Sequence, residues 1–423
     1  MCCCGTDICL SSIFRKPFQI FLFISLSSNK FCLLKKRLLL LFTSLLMLHV
    51  SFGQCSIRVS LLTCAPGAEL YSIFGHTALR VQDDAAGTDW VFNYGTFEFG
   101  PDFYPKFVRG KLLYYLSVED MRDFLWQYRA ESRSIVEQEL NLSCAEKKKL
   151  YTDLQINARE ENRYYRYDFL FDNCTTRAGD MAVANSDGQV QFKNILDSKA
   201  PSFRNLIHTY LNAGHQYWSK LGIDLLLGAK VDRKVTNREA MFLPDYLMKG
   251  FDSAYVDQKP LVANKSVILQ MPSPLPQASV FTPLLVFTVL LVLVVAATML
   301  GHASLKRALR VFDVVYFLAL GIVGLLILFM WVGTDHVVTR SNYNILWALP
   351  THLLAVFFIF KSTNWRQRYF TGVLVLNMLL LAAWFFLPQQ MNPGFLPLVL
   401  LSAYRSYVLS KAAYGTKGNQ IPG

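Results

Sequence analysis

The sequence is short of charge. Only 17% of its 423 residues are Asp, Glu, Lys or Arg, while 53% are hydrophobic. Soluble domains carry roughly a quarter charged residues. A disordered or wholly water-soluble protein is therefore excluded. Several chemistries also lack their motifs. Residues 54–280 hold no HExxH, no CxxC and no dense His/Cys cluster, so a metal centre has no donor set there. No GxSxG marks a serine hydrolase, and no GxxxxGK[ST] or GxGxxG marks nucleotide binding. No cofactor is expected.

The net charge of +12 invites a nucleic-acid reading, and its distribution removes it. Residues 1–53 hold six Lys/Arg against one Asp, and residues 281–423 hold ten against two. Residues 54–280 hold 26 against 27 Asp/Glu. The central polar region is neutral and offers no basic footprint for a phosphate backbone. No nucleic-acid partner is expected. The excess flanks apolar segments, where Lys and Arg set membrane topology.

Residues 35–53 read KKRLLLLFTSLLMLHVSFG. A basic cluster precedes an apolar run of signal-peptide length and the small residues Ser51 and Gly53. Residues 1–53 are thus expected to be a signal or targeting segment cleaved after Gly53. A lipoprotein signal at Cys55 is one alternative, though Gln54 fits it poorly; an uncleaved first helix is another. Five Cys before Met47, and no Met between Met1 and Met47, lead us to expect a start further in.

The C-terminal third carries five apolar segments: Phe281–Met299, Val311–Val332, Tyr343–Phe360, Tyr369–Phe386 and Pro393–Leu409. The first four approach or reach the roughly 20 residues needed to cross a bilayer. Lys306, Arg307 and Arg310 follow the first, and Lys361, Arg366 and Arg368 follow the third. PQQMNPG after the fourth is uncharged. Positive charge alternates with its absence, which places the start of the first span outside the cytoplasm. The expectation is a multi-pass inner-membrane protein with an all-α transmembrane bundle over 281–409 and a cytoplasmic tail at 410–423.

Residues 54–257 are expected to form an exported α+β domain, an antiparallel sheet plus helices, and 258–280, with four Pro, a linker. SIRVSLLTC and HTALRVQDD read as strands, and WVFNYGTFEF as the antiparallel partner of HTALRV. From Val118 to Arg166 the pattern is helical. Mature cysteines are Cys55, Cys64, Cys144 and Cys174. An oxidising envelope favours bridges among them, with the pairing open.

Cys174 stands apart. In RYDFLFDNCTTRAGDMAV a β-prone YDFLF leads to Asp172-Asn173, both good helix caps, and then to a helical stretch. A Cys at a helix start meets the positive end of the dipole, which favours thiolate. Such a nucleophile needs a base. The region has three His: His76, His208 and His215. His208 and His215 fit one face of a helix, as packing or surface residues. His76 begins a strand, where an imidazole can face a helix-start Cys. Asn93 or Tyr94 on the next strand is a candidate orienter. Alternation sets Arg80 on the face of His76, as a candidate for substrate or for a surface ion pair. Asp335, His336 and Arg340, in GTDHVVTRSNYN, fall at the outer interface, where Arg340 suits a phosphate.

The blocks LLTCAPGAELYSIFGHTALRVQD, VFNYGTFEFG, FLFDNCTTRAGD and MFLPDYL, followed by a membrane bundle, resemble the Lnb-type lipoprotein N-acyltransferases of Gram-negative envelopes. The likeness spans residues 56–390. The order of a strand His followed by a helix-start Cys is also similar to circularly permuted papain-like enzymes. The resemblance implies that a phospholipid acyl chain passes through a Cys174 thioester to the amine of a diacylglyceryl-cysteine lipoprotein. It implies Cys174 as nucleophile and His76 as base. The alternatives are a periplasmic Cys peptidase or amidase acting on cell-wall peptides, and a non-enzymatic scaffold with Cys174 bridged.

Overall fold

The computed structural model describes residues 36–37, 55–197, 200–274, 279–361 and 363–411. The cleavage point after Gly53 and most of the targeting segment lie outside the described residues, as does the tail beyond Lys411. The chain divides into two compact units, Met1–Cys55 and Ser56–Gly423.

The second unit begins with an α+β domain. Its strands are β1 (Ile57–Cys64), β2 (His76–Asp83), β3 (Thr88–Thr96), β4 (Leu113–Asp120), β5 (Ile135–Leu140), β6 (Tyr164–Arg166) and β7 (Val262–Leu269). They form one sheet in the order β6-β4-β3-β2-β1-β5-β7, with every neighbouring pair antiparallel. The helices of the domain are α1 (Phe103–Val108), α2 (Met121–Ala130), α3 (Cys144–Asn157), α4 (Cys174–Ala184), α5 (Phe203–Ala213), α6 (Tyr217–Leu226) and α7 (Pro244–Asp252). Alternation along β1 sends Leu62 and Cys64 to one face, where Phe124 and Tyr128 of α2 cover them. Val59 and Leu61 point to the other face, which α3 and α7 cover. The central strands are thus buried on both sides. A second core gathers Phe203, Leu206, Ile207 and Leu211 of α5 with Val231, Phe242 and Ile73.

The helical region that follows contains α8 (Pro283–Leu300), α9 (Ala303–Val332), α10 (Asn364–Ala383) and α11 (Leu396–Lys411). Among the described residues α8 and α9 are long and apolar enough to cross a membrane, with mean hydropathies of 2.7 and 2.6. Phe317, Trp347, Phe370 and Val399 share one cluster, and Leu221 and Leu225 of α6 pack against it. The exported domain is thereby seated on the bundle.

The structure corrects several expectations. Residues 258–280 are not a linker throughout, because β7 pairs with β5 and completes the sheet. The 118–166 stretch is interrupted by β5, whose residues alternate between faces. YDFLF is a tight turn rather than a strand: Asp168 Oδ1 accepts the N–H groups of Leu170 and Phe171. His215 lies beyond the end of α5, with φ 53°, so it shares no helix face with His208. Tyr343–Phe360 is not a continuous helix but a run of short turns, Tyr343–Leu346, His352–Ala355 and Val356–Phe358. Pro350 has no N–H to donate, and Asn342 and Asn344 spend their amides on carbonyls of α6. Gly324 of α9 lets this irregular backbone approach closely; a Cβ there would lie 2.0 Å from the Ala348 oxygen. Non-helical backbone at this depth is tolerated because protein surrounds it.

Candidate active site

Three strands and one helix end build the site. Asn173 caps α4, and its Oδ1 accepts the N–H groups of Thr175 and Thr176 at 2.8 and 2.9 Å. Asn173 Nδ2 donates to the Phe169 and Phe242 carbonyls, locking the cap to the second core. Cys174 is the first helical residue, half-buried and a free thiol. His76 opens β2, and its ring and the Cys174 thiol lie near enough to shift each other's titration. The structure therefore brings the expected pair together. Cys64 is also free, whereas Cys55 and Cys144 are disulfide-bonded.

Asn93 orients the imidazole. His76 Nε2 lies 3.1 Å from Asn93 Oδ1, and Asn93 Nδ2 donates to Glu119 Oε1 at 2.6 Å. The carboxylate accepts only, which fixes the amide with its oxygen toward the ring. Nε2 then carries the proton, which leaves Nδ1 as the acceptor of the neutral ring. Tyr94, the other candidate orienter, donates instead to Asn157. Gly95 follows at a bulge in the β3–β4 ladder with φ 88°. A Cβ on Gly95 would lie 3.3 Å from Cys174 Cβ, so glycine clears the approach to the sulfur.

The electrostatics favour an ion pair. Burial alone would push the Cys174 thiol up. The charge and hydrogen bond of His76, the Thr77 N–H and the Thr175 hydroxyl overcome it, lowering the pKa from 9.0 to about 7. Burial opposes the His76 cation in the same way, yet Cys174 and Asn93 raise its pKa above 6.5. Burial raises the Glu119 pKa, against the nearby His76. Such an arrangement supplies a thiolate nucleophile and an adjacent proton carrier near neutral pH.

The four remaining residues are elsewhere. Arg80 is held by Asp89 at 2.8 and 2.6 Å and by Glu137 at 2.9 Å, on a polar face of the sheet. It lines a cavity of about 240 Å³ with Arg58, Gln82 and Glu139, and is not brought to Cys174. Asp335 lies 3.8 Å from Arg166, and its N–H donates to the Arg109 carbonyl. His336 Nε2 lies 3.1 Å from the Phe107 carbonyl. Arg340 is exposed and is not joined to the thiol or imidazole. Among the described residues no group of three or more His, Cys, Asp or Glu is placed to hold a metal.

Glu119 was not legible as a site residue. In LYYLSVED it looks like one of two surface acids before a helix. Only the β3–β4 register, which sets Val91 opposite Glu119, reveals it as a neighbour of Asn93. Thr77 was missed for a similar reason, since it acts through its backbone N–H.

Fold and site together define a membrane-seated α+β protein with a coupled thiol and imidazole at one end of an antiparallel sheet. Two family models match the chain, the Lnb N-terminal periplasmic domain over residues 51–209 and the Lnb transmembrane domain over residues 276–417. The chain belongs to the Lnb family and is a membrane protein with a periplasmic domain. Comparison with curated proteins and with solved structures gave no match.

Proposed function

We propose that this protein is a lipoprotein N-acyltransferase of the inner membrane. The carrying observation is the electrostatic coupling of Cys174 to His76, whose ring is hydrogen-bonded through Asn93 to Glu119. In the first step His76 Nδ1 takes the Sγ proton and the thiolate attacks an ester carbonyl of a phospholipid. The tetrahedral oxyanion is held by backbone N–H groups, for which Cys174 at the start of α4 is the first candidate. Collapse breaks the ester C–O bond, and the His76 cation protonates the departing lysophospholipid oxygen. The acyl group is now a thioester on Cys174.

In the second step the α-amine of a diacylglyceryl-cysteine lipoprotein attacks the thioester. His76 accepts the amine proton, the C–S bond breaks, and the product is an amide. Thioester energy carries over between the steps, so the scheme needs no nucleotide outside the cytoplasm. Asn93 acts as a positioning residue for the imidazole, and Glu119 for Asn93. The same pair can transfer to water, which is the peptidase or amidase alternative; anchoring beside lipid favours the amine acceptor.

The test is mass spectrometry of lipoprotein N-termini in cells that depend on this protein. Cys174→Ala and His76→Ala are expected to leave free amines while the protein still inserts into the membrane. Near-normal N-acylation with either variant rules the scheme out.

A further inference from the structure

Helix α1 has the sequence FYPKFV and buries none of its residues. Around it Phe99 is 74% exposed, Tyr104 71% and Phe107 49%. Water is a poor partner for so much aromatic surface in one place. The rings touch each other: Phe99 and Phe103 lie 4.6 Å apart, and Phe97 lies 5.6 Å from Phe103. The row then turns inward. Phe97 meets Tyr114 at 5.3 Å, and Tyr114 stacks on Tyr167 at 4.3 Å. Tyr167 and Cys174 converge on Gly95, at 3.7 and 3.3 Å from its Cβ position. An apolar track therefore runs from an exposed surface to the nucleophile.

The height of this surface is set by the membrane helices. Helix α9 ends at Val332, and the loop directly after it grips α1 through Asp335 and His336. The aromatic patch thus lies within a few residues of the outer end of a membrane span. Lys106, Arg109 and Lys111 are exposed beside it. Aromatics flanked by cations suit a lipid that has acyl chains and an anionic phosphate. A diacylglyceryl peptide has the chains and lacks the phosphate.

We propose that the patch formed by α1, Phe97 and Phe99 seats an acyl chain of a glycerophospholipid. The Tyr114–Tyr167 stack then guides that chain to Cys174. The second part rests on the acyltransferase reading, whereas the first stands without it. Full-length protein in phosphatidylethanolamine vesicles is irradiated with a phospholipid bearing a diazirine at the chain end, and the labelled peptides are mapped. Adducts are expected within residues 97–114 in both the wild type and Cys174→Ala. Adducts confined to the membrane helices overturn the proposal. Equal labelling of 97–114 by a diazirine-bearing diacylglyceryl peptide overturns the phospholipid assignment. The Phe99→Asp/Phe107→Asp variant should lose the adducts and raise the KM for phospholipid about tenfold. Its Cys174 should be alkylated by iodoacetamide at the wild-type rate, which reports an intact fold. Unchanged adducts and KM in that variant also overturn the proposal. Wild-type adducts without a Cys174 thioester overturn the acyltransferase reading alone and leave the lipid seat in place.

Discussion

Two free thiols lie close together in this protein and have opposite characters. Cys64 pairs in register with His76 across β1 and β2, but its side chain is fully buried. Burial pushes its pKa up to about 12, against the nearby Arg133. Cys174 is also desolvated, yet His76 and the Thr77 N–H bring it down to about 7. The sign follows from which charge form each neighbour favours. A cation and N–H donors favour thiolate; an apolar wall favours thiol. The rate of Cys174 alkylation by iodoacetamide should therefore rise through about pH 7, with Cys64 silent until the protein unfolds. In His76→Ala the opposing contributions shrink and burial prevails, so the midpoint should move above 9.0, the ordinary value. A midpoint that stays near neutrality in this variant would show that the imidazole does not set the reactivity of the sulfur. The site's core was readable at this scale because both partners sit where local chemistry marks them: an imidazole at a strand start and a thiol behind an Asp-Asn cap. Glu119 carries no local mark, since it belongs to the site only through pairing between β3 and β4.

At the scale of elements, helix α4 is what aims the sulfur. Its Asn173 cap satisfies two orphan N–H groups and is itself tied to the Phe169 and Phe242 carbonyls. Thr176 closes the capping box by accepting the Asn173 N–H at 2.9 Å. Asp172 adds a pair of contacts to Arg177 at 2.6 and 2.9 Å. Asn173→Ala removes a cap worth about 1 kcal/mol and strands the buried Phe242 carbonyl at roughly 1–3 kcal/mol more. Thermal unfolding should register that loss, and Cys174 alkylation at neutral pH should slow because the thiol is no longer held against His76. A variant as stable and as reactive as wild type would remove Asn173 from the argument. The alternation in β2 and β3 and the cap before α4 were legible because each is written within a few consecutive residues. The third apolar segment was not. Its composition suits a span, but its backbone is shaped by Asn342 and Asn344 bonding to α6, a contact more than a hundred residues distant in sequence. β7 was hidden in the same way: a Pro-rich surrounding suggested a linker, and only the exposed edge of β5 made it a strand.

Over the whole molecule, polar contacts join the exported domain to one end of the bundle. The Asp224 carboxylate of α6 is buried and accepts from Arg204 at 2.6 Å, His208 at 2.8 Å and Asn392 at 2.7 Å. Gln389 donates to the Leu227 carbonyl, and Gln390 accepts from Asn205. The loop between α10 and α11 therefore lies on the same side of the membrane as the exported domain. The loop after α9 lies there too, through Asp335 and His336. Lys361 precedes α10 and Gln390 follows it, so a crossing by α10 puts Lys361 on the opposite side. Charge agrees, because Lys306, Arg307, Arg310, Lys361 and Arg368 gather away from the exported domain, as cytoplasmic residues do. A reporter active only in the cytoplasm should work when fused after Lys361 and fail after Gln390; one active only outside should show the reverse. The opposite pattern would place the Asn205–Gln390 and Asp224–Asn392 contacts on two sides of a bilayer, and the topology drawn from them would not survive it.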